Sequence, residues 1–316
     1  MKPDLTTSIK GLKLKNPVTV ASGTFGTMDE YAGCVDARRL GAIITKTITV
    51  NPREGNPMPR ICETAAGMLN AIGLQNKGLR DFLDHKIPYF EKLGVPLIVS
   101  VAGESSAEFG TLSKTFDAYS HVVKAIEVNL SCPNVEAGGV NFMKKRERIL
   151  DAVKAVRDQT RILTFAKISP ELGDVLETAG KVLEQGIDGL SVMNTLRGMA
   201  IDPWTRSSRL VRDFGGLSGP AIKPIALRYV FQVKQAYHVP VIASGGISDA
   251  ADALEFLIAG ADLLAVGTAN FVEPRATLEV LKGIHDFCVR EKIPSIDQLR
   301  GSYKNAETRK GACEGL

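Results

Sequence analysis

Eight short apolar runs recur along the 316 residues, each followed by a longer stretch of different periodicity. They are "PVTVAS" (17–22), "GAIITKTIT" (41–49), "PLIVSVAG" (96–103), "AIEVNLS" (125–131), "LTFAKIS" (163–169), "GLSVMNT" (189–195), "PVIASGG" (240–246) and "DLLAVGT" (262–268). Several are continuous rather than alternating, the pattern of parallel strands covered on both faces. The stretches between them are amphipathic. "NFMKKRERILDAVKAVRDQ" (141–159) brings Phe142, Ile149, Val153 and Val156 to one side of a helix. "SPELGDVLETAGKVLEQG" (169–186) opens on a Ser-Pro-Glu helix start and stops at a glycine. "SDAADALEFLIAG" (248–260) opens on Ser248 or Asp249 as a cap and also stops at a glycine. Eight strand–helix units predict an α/β fold, a (β/α)8 TIM barrel with residues 1–316 as a single domain. An open doubly wound sheet does not need eight strands, and no GxGxxG stands early in the chain.

Two connections are too long to be plain helices. Residues 50–80 and 196–222 are rich in proline and glycine, and they follow the second and sixth strands. Insertions there sit on the C-terminal face of a barrel, where active sites are built.

Composition narrows the chemistry. At 44% hydrophobic and 23% charged, the chain can bury a large core without disulfides. Five cysteines, an odd number in no paired motif, suit a reducing compartment. A net charge of +4 is too weak and dispersed for nucleic-acid binding, and "KKRER" (144–148) reads as the solvated face of a helix. His85, His121, His238 and His285 stand apart, so no metal centre is expected. The N-terminus lacks the apolar core of a signal peptide, and no stretch is long enough to cross a bilayer. The expectation is a soluble, cytoplasmic protein with no membrane attachment.

Polar residues gather where the strands end: Ser22, Lys46, Asn129, Lys167, Asn194, Thr195, Ser244 and Thr268. A lysine inside an apolar strand is costly unless paired, so Lys46 and Lys167 imply something negative or electron-rich between them, or a salt bridge for each. Glycines after the last two strands, in "IASGGIS" and "AVGTANF", expose backbone N–H groups beside helix starts and suit a phosphorylated ligand. Asn70 and Asn76 in "NAIGLQN" add to Asn129, Asn134, Asn194 and Thr195. Such amides and hydroxyls suit a small flat heterocycle rich in C=O and N–H. Cys132 follows the end of the fourth strand, with Pro133 stiffening the turn and Gly138 and Gly139 loosening the loop. A thiol placed so can serve as a general base once polarised. Cys34, Cys62, Cys288 and Cys313 read as small buried hydrophobes.

In order and spacing, "NAIGLQN", "VNLSCPN", "AKISP", "SVMNTLRGMAID", "GGLSGPAIKPIALR" and "SGGISDAADALEFLIAGADLLAVGTANF" resemble the dihydroorotate dehydrogenases across nearly the whole chain. The resemblance implies one flavin mononucleotide (FMN) per chain and oxidation of dihydroorotate to orotate in pyrimidine synthesis. A cysteine at 132 resembles the soluble class 1 enzymes, whose membrane-associated relatives use serine. "NAIGLQN", with Ile72, and "GMAIDPWTR" look most like the subclass 1B catalytic subunit. That likeness implies a homodimer and a heterotetramer with a partner subunit that carries FAD and a 2Fe-2S cluster and passes electrons to NAD+. The alternatives are a subclass 1A enzyme using fumarate, another FMN barrel acting on a pyrimidine, a Schiff-base aldolase on Lys167, and a non-catalytic phosphate-binding barrel. One departure from the family pattern is Lys77, where proline is expected.

Residue by residue, the resemblance implies that Cys132 takes the proton from C5 while a hydride leaves C6. Lys46, Asn70, Asn129, Asn134, Asn194 and Thr195 would hold the substrate, with Ile72, Gly73 and Leu74 completing its pocket. Ala21, Ser22, Lys46, Thr47 and Asn129 would contact the flavin ring. Lys167 would face its N1–O2 edge, and Gly219, Gly245, Gly246, Gly267 and Thr268 the ribityl phosphate.

Overall fold

The computed structural model describes residues 2–26, 28–31, 33–130 and 146–304. All eight apolar runs contain a strand of one sheet: β1 (Val18–Val20), β2 (Ile43–Ile44), β3 (Leu97–Val101), β4 (Val123–Asn129), β5 (Leu163–Ile168), β6 (Gly189–Val192), β7 (Val241–Ser244) and β8 (Leu263–Val266). The spatial order is β1-β8-β7-β6-β5-β4-β3-β2. Each ladder is parallel. The two end strands meet through a hydrogen bond from the Gly41 N–H to the Val18 carbonyl, 2.9 Å long, which closes the barrel. The approach is so close that a Cβ at Gly41 would overlap the Asn16 carbonyl oxygen.

Helices α1 (Ile87–Leu93), α2 (Ser106–Asp117), α3 (Arg146–Gln159), α4 (Val175–Glu184), α5 (Lys223–Tyr237), α6 (Ala250–Ile258) and α7 (Ala276–Arg290) follow strands β2 to β8 in turn. Ile149, Val153 and Val156 are buried as the helical pattern requires, while Phe142 lies outside the described residues. Asp249 caps α6 in a reciprocal capping box with Asp252, and Gly260 at φ +110° ends the segment. The start at Ser169 is different from the expected one. Ser169 caps only a 3-10 turn, Pro170–Leu172, and Gly173 at φ +108° breaks it. The helix proper begins after Asp174, whose carboxylate accepts from the Glu177 N–H at 2.7 Å.

Strand parity divides the core. Val99, Val101, Ile126, Val128, Ala166 and Ile168 point out and pack under the helices. Ile98, Ala125, Phe165, Ile242, Leu263 and Ala265 point into the lumen and fill it. An N-terminal hairpin, Thr7–Ile9 with Leu12–Leu14, joins this inner cluster through Ile9 and Leu14 and plugs the bottom of the barrel. The two long insertions share a sheet of their own. Ile61–Thr64 and Gly67–Asn70 from the first pair with Leu196–Gly198 and Gly215–Ser218 from the second in a four-stranded antiparallel sheet. No helix among the described residues is long and apolar enough to cross a membrane.

Candidate active site

One step up from the apolar filling, the inward positions turn polar. Ser100 aligns with Glu127 on β3 and β4, and Lys167 on β5 stands between Asn129 and Ser191. Lys167 Nζ lies 3.4 Å from Glu127 Oε1, and the Ser191 hydroxyl donates to Glu127 Oε2 at 2.7 Å. Glu127 is 1% exposed and Lys167 is 6% exposed. The charge expected opposite the strand lysines is therefore, for Lys167, a carboxylate of the protein itself. The motifs passed over Glu127, although it shares parity with Asn129 in "EVN" and so faces the same lumen.

Above this layer lies a cavity of about 310 Å³, within the range of small-molecule sites. It brings together Ala21, Ser22, Lys46, Thr47, Asn70, Ile72, Gly73, Leu74, Asn129, Lys167, Asn194, Thr195, Gly219, Gly245, Gly246, Gly267 and Thr268. These are all the residues to which the family resemblance gives a role but two. Cys132 and Asn134 lie outside the described residues.

One wall is a relay of neutral groups. The Thr47 hydroxyl is 3.1 Å from that of Ser22 and 3.0 Å from that of Ser100, and it accepts from Asn129 Nδ2 at 3.2 Å. Asn194 Nδ2 reaches Asn129 Oδ1 at 3.5 Å, and Asn194 Oδ1 accepts the Thr195 N–H at 2.8 Å. These bonds fix the amides before any ligand arrives, which is what directional recognition requires. Asn70 donates to the Gly216 carbonyl at 3.2 Å and so joins the two insertions at the cavity roof. Asn76 does not reach the cavity. Its amide is used within the loop, accepting from the Gly78 N–H at 2.8 Å and donating to the Thr49 hydroxyl and the Leu74 carbonyl, each at 2.8 Å.

Lys46, at the end of β2, is part-buried, and burial followed by the nearby Arg60 guanidinium lowers its pKa, with Glu30 opposing them. Arg60, Gln75, Met68, Ser218 and Phe271 also line the cavity and were not singled out in the sequence. They come from insertion or helix residues whose place depends on tertiary pairing. Arg60 donates to Gln75 Oε1 at 2.7 Å. At the other end, Gly219, Gly245 and Gly246 take φ of +98°, +125° and +77°, a region that L side chains rarely adopt. The Thr268 hydroxyl donates to that of Ser218 at 2.8 Å beside them.

The comparisons agree with this geometry. The dihydroorotate dehydrogenase family model matches residues 4–288. A relative from Desulforamulus reducens, described as dihydroorotate dehydrogenase B (NAD(+)), catalytic subunit, is 47% identical over 302 residues, covering 96% of this chain and 99% of its own. Proteins of the same description from Geotalea daltonii and Thermoanaerobacter pseudethanolicus are each 46% identical, over 303 and 301 residues, covering 96% and 95% of this chain and 99% of theirs. A crystal structure of DHODH from Eimeria tenella in complex with ferulenol shares the fold, with a TM-score of 0.75 at 24% identity over 95% of this chain and 88% of that one. A strand–helix barrel with an amide-lined cavity on its C-terminal rim and a family match over nearly its whole length leave one assignment: the chain belongs to the dihydroorotate dehydrogenase family.

Proposed function

We propose that this chain oxidises dihydroorotate to orotate as an FMN-dependent catalytic subunit and delivers the electrons through a partner subunit to NAD+. The observation that carries the reading is the convergence, in one cavity, of the described residues to which the family pattern gives a role. The residues present also fit the cofactor. Glycines of positive φ and the Ser218–Thr268 hydroxyls stand at one end, where a phosphate needs close backbone approach and donors. The ion-paired Lys167 lies at the floor, and the amides stand together along the wall.

Bound FMN supplies the acceptor for the hydride that leaves C6. The protein's own residues do the rest. Asn70, Asn129, Asn194 and Thr195, with Asn134, hold the pyrimidine and its carboxylate in one orientation, and positioning of this kind supplies much of the rate. Lys46 adds positive charge for an anionic substrate. Cys132, two residues beyond Leu130 in sequence, takes the C5 proton onto Sγ. Lys167 provides the cation that favours the growth of negative charge beside it. A Schiff-base role for Lys167 is opposed by its ion pair with Glu127, since a nucleophilic amine must be uncharged. Ile61 and Phe271 line the cavity and are exposed, with Met58 and Val272 beside them, and an apolar rim suits a protein partner.

Purified protein should be yellow, and anaerobic dihydroorotate should bleach that colour within the first turnover. Colourless protein that still turns over substrate sinks the reading. NAD+ reduction should require a partner subunit carrying FAD and a 2Fe-2S cluster. Rapid reoxidation of the chain alone by fumarate would instead favour the subclass 1A alternative.

A further inference from the structure

Glu127 is the most deeply buried carboxylate among the described residues, and the chemistry above gives it no task. It sits in the lumen, one inward position beyond Ala125 on its own strand and aligned with Phe165 of β5, both of them buried in the apolar filling. Its Oε1 is 3.4 Å from Lys167 Nζ, and its Oε2 is held by the Ser191 hydroxyl at 2.7 Å. Of this group only Lys167 lines the cavity, so the lysine is the route by which the carboxylate can affect a ligand there.

Stability does not explain the arrangement. Buried ion pairs are often replaceable by apolar residues at no loss, whereas removing one partner leaves an uncompensated charge. The position of the pair does explain it. A carboxylate at hydrogen-bond distance fixes where a buried ammonium points. Ser191, one strand further round on the other side of Lys167, fixes the carboxylate and so the direction of the ammonium.

We propose that Glu127 is a positioning residue that holds the Lys167 ammonium aimed into the cavity, and through it sets how strongly the site prefers reduced over oxidised flavin. The inference rests on the reading that the cavity holds a flavin, and it concerns only this chain's residues toward that group.

The test is the midpoint potential of the flavin-loaded protein, measured by spectral titration against reference dyes. Glu127→Gln keeps the shape and removes the charge. It should weaken the preference for reduced flavin about tenfold, which is about 30 mV downward for a two-electron couple. In a Lys167→Met background the same substitution should move the potential by less than a third of that, because the effect runs through the lysine. An unmoved or raised potential, or equal drops in the two backgrounds, overturns the proposal. If Glu127→Gln does not accumulate folded, Ser191→Ala carries the test. It removes the orienting donor and no charge, and it should shift the preference in the same direction by about threefold, on the order of 15 mV. No shift there is equally fatal. Wild-type protein that purifies without flavin overturns the functional reading itself, whereas loaded protein with an unmoved potential sinks only the role of Glu127.

Discussion

At the scale of single residues, what was legible was chemical type and position along a strand. Asn129 and Lys167 could be placed at the site because they stand at strand ends, which a barrel gathers on one face. Glu127 follows from parity, since a strand sends alternate side chains to one side, but was hidden by the expectation that strand polars belong at strand ends. Asn76 shows the opposite error, since an amide in a motif beside Asn70 turned out to be a loop brace. Two predictions belong here. Cys132→Ser should retain flavin and bind orotate, yet lose about 10²–10⁴-fold in kcat near neutral pH, the usual worth of a positioned general base. Stopped-flow reduction by dihydroorotate checks it, and unchanged turnover removes Cys132 from the mechanism. Lys46 gives a pH effect whose sign follows from its lowered pKa. The unfolded chain binds the proton more tightly, so its charge opposes folding at neutral pH, and stability rises with pH between the folded and unfolded values. Lys46→Met should therefore stabilise the flavin-free protein at pH 7, and the gain should fade as pH passes the ordinary lysine range. Urea midpoints at several pH values measure it.

At the scale of elements, the strands were legible because each is a short apolar run bounded by polar or glycine residues. The helix after Ser169 started late because Gly173, at φ +108°, interrupts a cap that looked complete in sequence. The four-stranded sheet over the cavity was not legible. Its partners lie about 150 residues apart, Gly216 aligning with Asn70 and Leu217 with Leu69, and no local pattern announces such a pairing. The connection from β7 to α6 makes the clearest prediction. A Cβ at Gly246 would stand 2.7 Å from the Lys223 Cβ and 2.9 Å from the Gly219 carbonyl oxygen, at a φ of +77°. Gly246→Ala should cost about 1–3 kcal/mol through backbone strain and crowding. Because the loop lines the cavity, flavin retention after gel filtration should fall as well. A variant that melts like wild type and keeps its full complement of flavin would show that the loop adapts.

At the scale of the whole molecule, the barrel keeps structure and chemistry at opposite ends. The lower lumen is apolar and stoppered by the N-terminal hairpin, while the upper lumen is charged and opens to the cavity. The stopper is anchored outside as well as inside, since Lys10 in its turn pairs with Asp188 at 3.1 Å, and Asp188 also accepts from the Thr164 N–H and hydroxyl, each at 3.0 Å. Ile9 is 2% exposed and packs in one cluster with Leu14, Ile44 and Phe165. Truncating it removes apolar contact and leaves a hole that the short strands around it can only partly collapse, so Ile9→Ala should cost about 2–5 kcal/mol. Each kcal/mol lowers the melting temperature by no more than about 2–4 °C in a chain longer than 200 residues. The same substitution should leave the flavin midpoint potential and the orotate affinity at wild-type values well below the melting transition. Between Ile9 and Lys167 lies a packed apolar layer, and no charge or hydrogen bond of the upper layer is altered. Calorimetry paired with a redox titration tests both halves: a lowered melting point with an unmoved potential is the expected pair, and a potential that shifts with Ile9 would mean that packing at the bottom positions the charges at the top.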